Sequence, residues 1–79
     1  MDTSTVQKEA VFLFANYTVK TGTELSAADL SLAVILGKHF HGNGLRACRA
    51  IVAQALKDDP EEAEKRLEWA AQAVCAMCN

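Results

Sequence analysis

Three cysteines and two histidines are the side chains of this sequence with the most recognisable potential chemistry. Cys75 and Cys78 form a Cys-x-x-Cys pair. With His39, His41 and Cys48 they provide the sulfur and nitrogen ligand types that tetrahedral zinc prefers. The cysteine pair, however, falls at the end of a predicted helix and has no second pair at zinc-site spacing. We therefore predict no metal site and no cofactor, with zinc or thiol chemistry as the alternative, and we expect Cys48, Cys75 and Cys78 to be reduced and buried.

A basic segment around a glycine-rich turn is the second candidate site. Gly42-Asn43-Gly44 can point successive backbone N–H groups into an anion-binding concavity at the start of a helix. Arg46 and Arg49 follow one helical turn apart, a spacing that suits a carboxylate or a phosphate. The candidate contacts for an anion or a partner are Lys38, His39, His41, Asn43, Arg46, Arg49 and Lys57.

The chemistry of that partner is left open by the residue types alone. A formal net charge of −2 and the lack of a dense basic cluster favour an acidic protein over nucleic acid or a nucleotide. The nucleic-acid alternative would use the following helix as a reading helix. The plainest interpretation is that the turn joins two helices and that the arginines pair with acidic residues of the last helix.

The charge of the chain is divided unevenly along its length. Residues 1–57 carry six basic and four acidic side chains, whereas residues 58–79 carry two basic and six acidic ones. We expect a solvated helix start supported by the i,i+4 pairs Glu61–Lys65 and Glu62–Arg66. The alternative is an acidic surface that meets a basic partner.

Several classes of protein are excluded by what the sequence lacks. It has no nucleophile with a nearby base, no paired carboxylates on an apolar helix face and no phosphate-binding loop. The longest apolar run, residues 30–36, is far shorter than the roughly 20 residues that span a bilayer. Asp2 and hydroxyl residues stand where a signal peptide carries positive charge. We therefore predict a cytoplasmic protein that is not an enzyme.

Capping signals divide the 79 residues into four predicted helices, at about 5–20, 27–40, 45–57 and 60–78. Ser4 with Gln7 predicts a capping box, Ser26 predicts the next helix start, and Asp59-Pro60 predicts the last. No segment alternates with the two-residue period of a strand. The predicted fold is one all-α domain over residues 1–79, arranged as a compact four-helix bundle or an orthogonal array.

The first two predicted helices are apolar on most sides, unlike the third and fourth. Because 51% of the residues are apolar and a small domain encloses a limited core, this surplus predicts a homodimer in which one of these helices meets its copy. Ala33 and Gly37 would let two helix backbones approach closely. The candidate self-association residues are Phe12, Val19, Leu32, Ala33, Leu36 and Gly37.

The predicted function follows from these exclusions and from size. A small all-α chain with no catalytic motif is expected to bind another protein, as a regulator, adaptor or inhibitor of a larger cellular machine. Bacteria and phages use small proteins in this way, including as anti-defence proteins, and this analogy rests on size alone.

Overall fold

Four α-helices form the part of the chain described by a computed structural model, which is residues 3–40 and 44–77, with side chains for 6–39 and 44–76. In chain order they are α1 Thr3–Ala15, α2 Ala27–Phe40, α3 Leu45–Asp58 and α4 Pro60–Met77. These residues include no strand, which confirms the predicted all-α class. The helices pack into one globule with a Cα radius of gyration of 11.4 Å.

The central helix of the fold is α1, which contacts all three other helices and packs most extensively on α4 and α2. A helix surrounded in this way is apolar on most sides because most of its sides are covered. The buried core draws on all four helices and consists of Ala10, Leu13, Phe14, Leu30, Ala33, Val52, Ala63, Ala70 and Val74. Most of the apolar surplus of α1 is therefore used inside the chain.

The first helix ends at Ala15, earlier than the predicted end near residue 20. Asn16 is fully buried and ends the helix by turning its side chain inward. Its Nδ2 donates to the carbonyl of Ala33 on α2 at 2.9 Å, and its Oδ1 accepts from the backbone N–H of Thr18 at 3.2 Å and from the Thr18 hydroxyl. Gly22, the predicted stop, instead occupies the connecting segment with a φ of +88°.

The second and fourth helices begin where their capping residues predict. Ser26 Oγ accepts from the backbone N–H of Asp29 at 3.2 Å, and Asp59 Oδ1 accepts from that of Glu62 at 3.3 Å. The first helix differs, since it already includes Thr3 and Ser4, so the predicted cap at Ser4 is wrong. The side chain of Ser4 lies outside the described residues.

The closest approach between helices occurs at Gly37 of α2. A Cβ atom built there would lie 2.0 Å from the carbonyl oxygen of Phe12 on α1 and 3.3 Å from Cβ of Asn16. Ala33, one turn earlier, is 4% exposed. The small residues therefore let α2 approach α1 within one chain. This corrects the prediction that Ala33 and Gly37 would meet a second copy.

Candidate functional site

The basic residues of α3 lie along one exposed face of that helix. Arg46, Arg49 and Lys57 are exposed, and Ala50 and Ala53 between them are exposed as well. None of the three cations makes an ion pair within the described part of the chain, where the ion pair that occurs joins Lys65 to Glu62 at 3.9 Å. The predicted pairing of the arginines with acidic residues of α4 is therefore not observed.

The other members of the predicted basic site lie at the end of α2 or beyond it. Lys38 and His39 are exposed, and Lys38 Nζ is 6.0 Å from the ring centroid of Phe12. His41 and Asn43 lie outside the described residues. The structure thus gives an exposed cationic face on α3, while Gly42 and Asn43 of the predicted anion-binding turn lie outside the described residues.

The two cysteines that the structure describes, Cys48 and Cys75, belong to no group that could hold a metal ion. Cys48 is buried as predicted, and its Sγ donates to the carbonyl oxygen of Gly37 at 3.6 Å. Burial raises the pKa of this thiol above its ordinary value. Cys75 is exposed, which corrects the prediction of a buried side chain, and Cys78 lies outside the described residues. Over residues 3–40 and 44–77, no group of three potential ligands could hold a metal ion.

The remaining apolar surplus lies on the outer face of α2. Leu32 is 55% exposed and Ile35, which the sequence-based prediction did not name, is 52% exposed. Ala28 and His39 continue the same side of the helix and are also exposed. We call Ala28, Leu32, Ile35 and His39 the α2 outer face. The other self-association candidates are more enclosed, since Phe12, Val19 and Leu36 are each partly buried.

A buried arginine that the sequence interpretation assigned to a surface ion pair organises the end of α1. Arg66 of α4 is 7% exposed, and all its hydrogen bonds reach across to the segment that begins in the last turn of α1. Nε donates to Phe14 O at 2.9 Å, Nη1 to Val19 O at 2.9 Å and Thr21 Oγ1 at 3.2 Å, and Nη2 to Asn16 O at 2.9 Å and Leu13 O at 3.5 Å. An arginine has five N–H donors, and these five contacts give each donor an acceptor.

Three aromatic rings enclose the same guanidinium. Its central carbon lies 4.7 Å from the ring centroid of Tyr17, 5.2 Å from Trp69 and 5.4 Å from Phe14. Burial lowers the pKa of Arg66, and electrostatic attraction to Tyr17 partly opposes that shift. The charge is stabilised by carbonyl oxygens at the negative end of α1 instead of by a carboxylate.

A signal for this arrangement exists in the sequence, although the assignment of Arg66 to a surface pair with Glu62 missed it. Arg66 follows Ala63 by three residues and precedes Ala70 by four, so it lies on the buried stripe of α4. An arginine inside an apolar stripe predicts a buried partner rich in acceptors.

Next to Arg66 lies an open groove with a volume of about 590 Å³. Its lining is mainly apolar and includes Phe14, Ile51, Ala55 and Ala63. The segment after α1 contributes Tyr17 and Lys20. The junction of α3 and α4 contributes the three carboxylates of Asp58, Asp59 and Glu62. No residue of α2 belongs to the lining, so the groove and the α2 outer face are separate surfaces.

The described residues thus form an all-α fold with a cationic face on α3, an exposed apolar face on α2 and a mainly apolar groove lined by three carboxylates. Comparison with protein-family models, with curated proteins and with solved structures found no match to this chain. Among the described residues, no helix combines the length and the apolar character needed to span a bilayer.

Proposed function

We propose that this chain is a small non-enzymatic four-helix bundle that acts by binding proteins, and that the α2 outer face is its contact surface with a second copy. The observation that carries the proposal is the exposure of Leu32 and Ile35, at 55% and 52%. Large aliphatic side chains exposed side by side are typical of an interaction surface. A homodimer formed through this face would leave the other helix faces of each copy available to contact a larger cellular machine, as a regulator, adaptor or inhibitor does.

The spacing along α2 supports a symmetric contact. Ala28, Leu32 and Ile35 follow one another at i, i+4 and i+7, the spacing of a seam between two helices. In an antiparallel pair related by a two-fold axis, Leu32 of one copy would alternate with Ile35 of the other. Full burial of a leucine or isoleucine contributes about 1.5–3 kcal/mol, so side chains that begin half-exposed would contribute about half of that each.

Sedimentation equilibrium tests the proposal on the unmodified chain and two double variants. Leu32→Gln with Ile35→Gln removes the apolar contact, while Ala50→Gln with Ala53→Gln places the same polar groups on the exposed face of α3. We expect the unmodified chain and the α3 variant to be dimeric at several hundred micromolar and the α2 variant to be monomeric. An unmodified chain that stays monomeric at several hundred micromolar, or an α2 variant that stays dimeric, would overturn the proposal.

A second candidate function is favoured by the α3 face, where three cations lack carboxylate partners in the described structure. These cations would contact the phosphates of a nucleic acid. The test is fluorescence anisotropy with labelled duplex DNA and RNA over a range of salt concentrations, using Arg46→Glu with Arg49→Glu as the variant. Binding that falls steeply with salt and is lost in the variant would support this function. Equal binding by both proteins would exclude it.

A further inference from the structure

The groove beside Arg66 has a floor suited to an aliphatic chain. Phe14 and Ala63 are buried beneath it, and Ile51 and Ala55 are partly buried. Its volume of about 590 Å³ falls within the range of about 300–1,000 Å³ found for ligand sites. The ring of Tyr17, which is 58% exposed, adds an aromatic wall. A side chain with several methylene groups would therefore replace water along most of its length.

The carboxylates of the lining keep acceptor capacity for a further cation. Asp58 Oδ1 accepts from Gln54 at 3.0 Å, Asp59 Oδ1 accepts the capping bond from the N–H of Glu62 at 3.3 Å, and Glu62 Oε1 is 3.9 Å from Lys65. Each carboxylate has a second oxygen to which no described residue donates. A carboxylate has about four lone-pair sites, so the bonds that are present do not exhaust these groups.

The cations near the groove offset these carboxylates only in part, since the lining holds three carboxylates and two cations, Lys20 and Arg66, and Lys65 lies 3.9 Å from Glu62. All five donors of Arg66 are engaged by acceptors between Leu13 and Thr21. Lys20 also lines the groove, but it forms no ion pair with a described carboxylate. An incoming anion would find the guanidinium donors occupied and three carboxylates nearby. The charge complement of the groove is therefore a cation.

We propose that this groove binds a basic segment of a partner protein by accepting one lysine or arginine side chain. The methylene groups of this lysine or arginine lie on Ile51, Ala55 and the Tyr17 ring, and its charged end contacts Asp58 and Glu62. Long basic side chains combine an apolar stem with a charged tip in this way. The proposal concerns a different surface from the α2 outer face, so the two can fail separately.

The test adds a short peptide of alternating lysine and leucine to the isotope-labelled chain and monitors the amide signals of the chain by nuclear magnetic resonance. We expect the amide signals of Ile51, Asp58 and Glu62 to move the most. A peptide with glutamate in place of each lysine serves as the charge control, and spermidine serves as the free polyamine. Equal binding of the glutamate peptide, shifts centred elsewhere, or spermidine binding as tightly as the lysine peptide would each overturn the proposal.

Matched variants separate the groove from general attraction between charges. Asp58→Asn with Glu62→Gln removes two lining carboxylates while keeping the capping residue Asp59, and Glu61→Gln with Glu64→Gln removes the same charge from positions outside the lining. We expect the first variant to bind the lysine peptide about fivefold to tenfold more weakly, as expected for two exposed charge contacts, and the second to change little. Equal losses in the two variants would contradict the proposed site. Leu32→Gln with Ile35→Gln should bind the peptide like the unmodified chain, whether or not it dimerises.

Discussion

Replacing Arg66 with methionine would test how the end of α1 is held. The substitution keeps a long apolar stem but removes all five donors. The carbonyls of Phe14 and Val19 then lose their donor, whereas those of Leu13 and Asn16 keep the backbone N–H groups of Asn16 and Val19 at 3.1 Å. A buried acceptor left without a donor costs about 1–3 kcal/mol. Some of these carbonyls lie near the surface and would regain water, so we expect a total loss of about 3–5 kcal/mol, comparable to removing one partner of a buried charged pair. Because small domains have about 5–15 kcal/mol of stability in all, Arg66→Met should lose a large share of it.

Urea unfolding followed by far-ultraviolet circular dichroism measures this loss, and Trp69 fluorescence reports on the same region because its ring lies 5.2 Å from the guanidinium. Arg66→Lys keeps the charge with three donors instead of five and should lose about 1–2 kcal/mol. The matched control is Lys65→Met, whose side chain is 61% exposed and makes one loose ion pair, and it should change stability by less than about 1 kcal/mol. An Arg66→Met variant within about 1 kcal/mol of the unmodified chain would refute the structural role assigned to Arg66.

Three further perturbations address the core. Gly37→Ala should lower the urea midpoint by an amount equivalent to about 1–3 kcal/mol, because its Cβ would lie 2.0 Å from the carbonyl oxygen of Phe12; a gain in stability from better helix propensity would contradict this packing. Asn16→Asp keeps the shape but cannot donate to Ala33 O, so we expect a loss of about 2 kcal/mol at neutral pH in the same urea experiment, and an unchanged midpoint would show that this bond contributes little. Burial raises the pKa of the Cys48 thiol in the folded state above its value in the unfolded chain. The protonated thiol therefore contributes stability that is fully present below the unfolded pKa of about 8.5. This stability is lost as the pH rises through the folded-state pKa. Urea midpoints measured from pH 8 upward should therefore fall more steeply for the unmodified chain than for Cys48→Ala, and parallel curves would refute the assignment.

The parts of the fold set by neighbouring residues could be predicted from the sequence. Ser26 and Asp59 cap the helices that follow them, since a capping bond joins residues only three positions apart. The all-α class follows from the same local signals. The start of α1 was misplaced, although the side chain of its predicted cap lies outside the described residues.

The end of α1 depends on contacts that no local pattern contains. Arg66 binds Asn16 O from 50 positions away, and Asn16 reaches Ala33 across 17. The apolar pattern of α1 was interpreted as a dimer surface because periodicity shows how many sides of a helix are apolar but not what covers them. The groove was also beyond prediction, since it joins residues of α1, α3 and α4 that only the packing brings together.

The bonds made by Arg66 also bear on the order in which the chain folds. Their acceptors lie 45 to 53 residues ahead of Arg66 in the sequence. A ribosome releases the N-terminal part of a chain first, at about 5–20 residues per second. At that rate, residues 13–21 are synthesised several seconds before the Arg66 side chain that binds them. Contacts this distant in sequence require closure of a long loop before they can form, so we expect the end of α1 to be fixed only when α4 packs against it.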